Sequence, residues 1–117
     1  MSEPPRDLVK RTFEFAVNVR QFVNRLPKSM SNYEDARQLV RSSGSVAANY
    51  IEAQEGLSRK DFFYRIKVCR KEVRETGLWL RLIDCSTDES LHVNREGLVC
   101  ESDELTRIFS SIAGKEN

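Results

Sequence analysis

The chain has 117 residues, three prolines and five glycines, with 32% charged and 39% hydrophobic side chains and a net charge of +1. That length holds one hydrophobic core and leaves no room for a second. The composition is that of a soluble domain and favours helices over turn-rich β structure. Near-neutrality hides an uneven distribution: Arg59 to Arg81 carries eight basic against three acidic residues, and Leu82 to Asn117 three against eight. A basic block is thus followed by an acidic one.

The opening "MSEPPRD" lacks a charged start followed by an apolar run, and no apolar stretch approaches about 20 residues, so neither secretion nor membrane spanning is expected. The first helix is expected over 6–26, opening near Pro5 or Arg6 and stopped by Pro27. Its stripe is Leu8, Thr12, Phe15, Val19, Phe22 and Leu26, widened by Phe13, Ala16 and Val23. A second helix is expected over 32–55, capped by Ser31 or Asn32, with Glu34 and Asp35 favouring its positive end. Ala36, Leu39, Val40, Ser43, Val46, Ala47 and Tyr50 fall on one side of it. Its middle is built from small residues, and Ser43, Gly44, Ala47 and Ala48 read either as a seam for close helix approach or as ordinary small core residues. Gly56 closes it.

Ser58 with Asp61 forms a capping-box-like start for the third helix, expected over 59–84. At 100° per residue its side chains divide into three strips. Phe62, Ile66, Cys69, Val73, Leu80 and Ile83 form a core strip. Tyr64, Val68, Glu75, Trp79 and Leu82, mixed with Glu72, form a Trp-centred band suited to self-association or to ordinary packing on the bundle flank. Lys60, Lys67, Arg70, Lys71, Arg74 and Arg81 form the third strip. It reads as a phosphate-binding surface, as a solvated face, or as a set of cations pairing with Glu101, Asp103 and Glu104 of the acidic last helix. After a turn at "CSTDES" that last helix is expected over 95–113, marked by Leu98, Glu101, Leu105, Ile108, Phe109 and Ile112. Four helices joined by short turns, with no strand-like alternation, give an all-α, up-down-up-down antiparallel four-helix bundle.

Catalytic and metal-binding patterns are missing. A closed zinc site would need Cys69, Cys85, Cys100 and His92 together, and they lack close-pair spacing; they read as reduced cysteines and a lone histidine in a cytoplasmic protein. No phosphate-binding glycine loop and no nucleophile–base arrangement is present. No enzyme activity, cofactor, metal or small-molecule substrate is expected.

One ordered series of residues resembles a known family. "RSSGSVAANYIEAQEGLSRKDFFYRIKVCRKEVRETGLWLRLI" is similar to the core of the bacterial four-helix-bundle proteins associated with intervening sequences in 23S rRNA genes. The match runs through Arg-Ser-x-x-Ser-Val, Ala48-Asn49-Tyr50 with Glu52, the Ser58-to-Phe62 turn, Lys71-Glu72-x-x-Glu75-Thr76, and Trp79-Leu80. "ESDELTRIFSSIAGK" is similar to the family's last helix, so the resemblance spans roughly 35–115. It implies a short antiparallel bundle assembled into a homopentamer. The family also includes the accessory variability proteins of diversity-generating retroelements, which implies RNA or DNA and a reverse transcriptase as partners. The family name refers to where its genes lie and implies no place in the ribosome. Asn49 and Glu52, on the polar side of the second helix with Ser45, are expected either to meet polar groups of another helix or subunit and fix register, or to face solvent. Two functions stand open at this point: a sequence-independent nucleic-acid-binding accessory, and a structural scaffold or protein-interaction module.

Overall fold

Each helix start is set by a side chain that satisfies an otherwise unpaired amide. In the computed structural model, which describes residues 7–117, α1 (Leu8–Val23) is capped by Asp7, which accepts from the Lys10 amide at 3.0 Å. The expected start near Pro5 or Arg6 lies outside the described residues. Helix α2 (Met30–Gln54) is capped by Ser29 through the Asn32 amide at 3.1 Å. Helix α3 (Arg59–Leu82) is capped by Ser58 through the Asp61 amide at 3.0 Å, and α4 (Glu89–Ala113) by Asp88 through the Leu91 amide at 3.1 Å.

Four boundaries differ by two residues or more from those expected, one of them the end of α3, which stops at Leu82 rather than 84 because Ile83 is already extended. Helix α1 stops at Val23 rather than Leu26, because the residue before Pro27 avoids helical dihedrals; two tighter bonds, Arg25 N to Phe22 O and Leu26 N to Val23 O, taper the chain. The cap of α2 is Ser29, not Ser31 or Asn32, which moves Glu34 and Asp35 beyond the first turn. Helix α4 starts at Glu89, a turn and a half before 95, because Asp88 caps it and Leu91 already continues the buried series Leu98, Leu105 and Phe109.

The helices pack in ring order, α1 on α2, α2 on α3, α3 on α4 and α4 on α1, and the rings of Tyr50 and Phe109, 6.0 Å apart, meet across the α2–α4 diagonal. This is the up-down-up-down bundle, and no strand occurs among the described residues. The most extensive surface is between α2 and α3, and the loosest seam is between α1 and α4. Phe15, Val19 and Phe22 of α1, Leu39 and Val46 of α2, Ile66, Val73 and Leu80 of α3, and Leu91, Leu105 and Phe109 of α4 fill the core. Two assignments to it shift by a residue's rotation: Phe63 is buried where Phe62 was expected, with Phe62 half-buried edge-on against it, and Phe13 is 62% exposed.

The thin middle of α2 has two different faces. Ser42 and Ser43 are buried, and Ser42 Oγ lies 2.8 Å from Thr76 Oγ1, a contact that only small side chains permit. Across α3 the same layer continues, since a Cβ on Gly77 would come within 3.2 Å of Ser102 Oγ. Gly44 and Ala48, by contrast, turn away from this seam, Ala48 being exposed and Gly44 half-buried.

Asn32 ties the two turns at one end of the bundle. Its Nδ2 donates to Pro27 O at 3.1 Å and Asp84 O at 2.9 Å, and its Oδ1 accepts from the Asp84 amide at 2.9 Å.

Candidate nucleic-acid and subunit interface

The six cations of α3 line the side of the helix that looks toward α4. Two are engaged there: Arg81 Nη2 lies 3.3 Å from Asp103, and Lys67 Nζ lies 2.5 Å from Glu116. Lys71 is held loosely within its own helix, 3.8 Å from both Glu72 and Glu75. Lys60, Arg70 and Arg74 have no carboxylate within salt-bridge distance among the described residues; Lys60 and Arg74 are exposed and Arg70 half-buried.

The acidic helix does not neutralise the strip as a unit. Glu101 turns to α1, where its carboxylate accepts from Arg11 Nε at 2.7 Å and Arg11 Nη2 at 2.9 Å, a two-pronged pair. Glu104 stands 3.7 Å from the same guanidinium. The Glu101 hydrogen bond holds the Arg11 guanidinium above its ordinary pKa. Of the three carboxylates considered as partners for the strip, only Asp103 reaches it. The sequence carried no signal for this, because Arg11 lies 90 residues from Glu101.

The second strip faces outward and toward α2. Tyr64 is 58% exposed and Leu82 52%, and Leu78, not assigned to the strip by spacing, joins them at 48%. Val68, Glu72, Glu75 and Trp79 are half-buried, and Trp79 packs partly against the core, so the band is not centred on an exposed tryptophan.

Where this strip meets α2, polar groups converge. Asn49 Nδ2 donates to Ser45 O at 2.9 Å and to Ser45 Oγ at 3.0 Å, while its Oδ1 accepts from Arg65 Nη1 at 3.0 Å, linking α2 to α3. Arg65 itself sits 5.6 Å over the Tyr64 ring. Glu52 is exposed and has no such partner among the described residues. Two atoms in this region, Arg65 Nε and Glu72 Oε1, are buried without a hydrogen-bond partner, an arrangement that costs free energy unless something outside the monomer satisfies them.

Reactive groups are placed apart. Cys69 is buried, with Sγ 3.6 Å from Val46 O, and burial pushes its thiol up to about 12. Cys85 is raised in the same direction by burial, and Cys100 is exposed. The His92 ring nitrogen Nε2 lies 2.8 Å from Ser86 O in the α3–α4 turn. Among the described residues no group of His, Cys, Asp and Glu is placed to hold a metal ion, and no helix is long and apolar enough to cross a membrane.

This arrangement defines an all-α protein whose distinctive chemistry lies along one helix: cations on one flank, and an apolar and polar strip on the other. The 23S rRNA-intervening sequence protein family model matches residues 6–90, and the chain belongs to that family. Among solved structures it is similar to a protein of unknown function from the S23 ribosomal protein family of Bacteroides thetaiotaomicron VPI-5482. That similarity is 29% in sequence, with a TM-score of 0.73, over 90% of this chain and 96% of the other. Among curated proteins nothing matches the chain.

Proposed function

We propose that the protein is a non-enzymatic, homo-oligomeric accessory that holds nucleic-acid phosphates on the cationic flank of α3 without reading bases. The observation that carries this reading is that the acidic helix leaves the strip largely unneutralised. Glu101 and Glu104 are directed to Arg11, and Lys60, Arg70 and Arg74 keep their charge without a carboxylate partner among the described residues. Cations presented on one face release counterions when they meet phosphates, which gives affinity without sequence preference.

Assembly multiplies the field of such a strip. The exposed Tyr64, Leu78 and Leu82, with the unpartnered buried atoms of Arg65 and Glu72, support a subunit contact through the second strip. A homopentamer is the arrangement that the resemblance implies.

Fluorescence anisotropy with structured RNA and with duplex DNA, at low and moderate salt, tests the binding. About four available cations per subunit give a log–log salt slope on the order of −3 to −4 per subunit, and Arg70→Ala with Arg74→Ala abolishes binding. No binding at tens of micromolar at low salt refutes this reading and leaves the scaffold function, for which the Arg81–Asp103 and Lys67–Glu116 pairs speak. Light scattering coupled to gel filtration tests the assembly, which a strict monomer of 13.5 kDa would end.

A further inference from the structure

The outward face of α2 plays no part in the bundle or in the cationic strip. Along it, at spacings of three or four residues, run Arg37, Arg41, Gly44, Ala48, Glu52 and Glu55, all exposed except the half-buried Gly44. Arg41, Glu52 and Glu55 have no ion-pair partner among the described residues, and Arg37 has only Glu34 of its own helix, at 3.4 Å with both side chains well exposed.

Two features of this face are unexplained by the monomer. The charge order runs against the helix dipole: Glu52 and Glu55 stand at the C-terminal end, where carboxylates are disfavoured, and the last turn holds no basic residue to offset them. The second is Gly44. Glycine is the costliest helix-interior residue after proline, yet a Cβ there would meet only the end of the flexible Arg20 side chain, at 3.2 Å. The bundle therefore does not require it.

Both features are accounted for if the face packs on itself. We propose that α2 docks antiparallel on α2 of a second copy about a two-fold axis. Opposing residues then have numbers adding to about 92. Gly44 meets Ala48 of the partner subunit, Arg37 meets Glu55 of the partner subunit, and Arg41 meets Glu52 of the partner subunit, each contact occurring twice. No like charges are brought together, whereas parallel in-register packing would set Arg37 against Arg37 and Glu55 against Glu55. The small residues let the two backbones approach closely at the centre, and the charges fix direction and register. An isologous contact of this kind closes at two. It does not rest on nucleic-acid binding, and in a ring assembled through α3 it joins two rings.

The test is solution mass by light scattering on the full chain, at up to about 100 µM and low ionic strength, where surface charge pairs are least screened. Arg41→Glu turns two attractive contacts into two repulsive ones and halves the mass; Glu52→Arg does the same. Combining the two reversals restores the wild-type mass. Gly44→Leu, which blocks the close approach without entering the core, also halves it, with circular dichroism unchanged. A wild-type mass that neither Arg41→Glu nor Gly44→Leu alters overturns the proposal. So does a fall to any fraction other than one half, or a double reversal that stays dissociated. Anisotropy on the dissociated Arg41→Glu variant separates this contact from the nucleic-acid reading, because the α3 cations remain intact.

Discussion

Replacing Asn32 with alanine should loosen one end of the bundle more than any other single change of a polar side chain. Asn32 is 3% exposed and makes three hydrogen bonds, donating to Pro27 O and Asp84 O and accepting from the Asp84 amide. A net contribution of about 1 kcal/mol per bond gives about 3 kcal/mol, and the orphaned main-chain groups, being only part-buried, recover some of that from water. The expected loss is about 2 to 3 kcal/mol. Urea denaturation followed by circular dichroism, at one protein concentration for both variants so that assembly does not enter the difference, should show a lower midpoint with an unchanged slope. Asn32→Asp should lose comparable stability at neutral pH, since a carboxylate cannot donate to the two carbonyls. A loss below about 0.5 kcal/mol for Asn32→Ala would show that this side chain does not clamp the two turns, and that each turn is held by its own helix caps.

The thiols should divide two to one. Cys100 should react with an aromatic disulfide reagent in the folded protein, while Cys69, pushed up to about 12, and Cys85, also raised, should react only on unfolding; fast labelling of more than one thiol per chain would contradict the burial described. Asp88 should make stability pH-dependent. Its carboxyl is held below the ordinary carboxylate range, first by the Ser90 hydroxyl and then by the Leu91 amide. A lowered folded-state pKa means that its contribution is present above the unfolded value of about 3.8 and is lost as pH falls through the folded value. Acid titration of wild type against Asp88→Asn, which keeps an acceptor but does not titrate, should show a shallower loss below about pH 4 in the variant.

Most of the bundle was legible because its helices repeat their apolar residues every three or four positions and have turn residues between them. Phe15, Val19 and Phe22 are buried as their spacing implied, and Ser58 caps α3 as its distance from Asp61 implied. The misplaced start of α4 is instructive: Asp88 and Leu91 carried the signal, but the polar run through "CSTDES" resembled a longer turn. Phe62 and Phe63 show the limit of wheel angles, since one residue of rotation separates core from rim and only the packing of α3 against its neighbours sets that rotation. The partners of the charged residues were less legible still. Composition displayed a basic helix beside an acidic one, yet Glu101 pairs with Arg11 because α4 closes against α1 as well as α3. A helical wheel treats one helix at a time and carries no information about which neighbour a carboxylate at its edge will reach.

The unequal seams of the ring bear on how the molecule assembles and breathes. The broad α2–α3 surface joins segments connected by a four-residue turn, whereas the narrow α1–α4 seam joins the two ends of the chain, spanned by the partly exposed Arg11–Glu101 bridge. Contacts between near neighbours in sequence close with little loss of chain entropy, so the α2–α3 hairpin is expected to form first and the outer helices to dock on it. The same order is expected in reverse in the finished protein: α1, the least extensively packed helix, should open first, and its amides should exchange with solvent sooner than those at the α2–α3 surface. The apolar stripe of α1 is then bared for as long as the seam stays open, making the first helix the natural point at which one chain could trade an element with another.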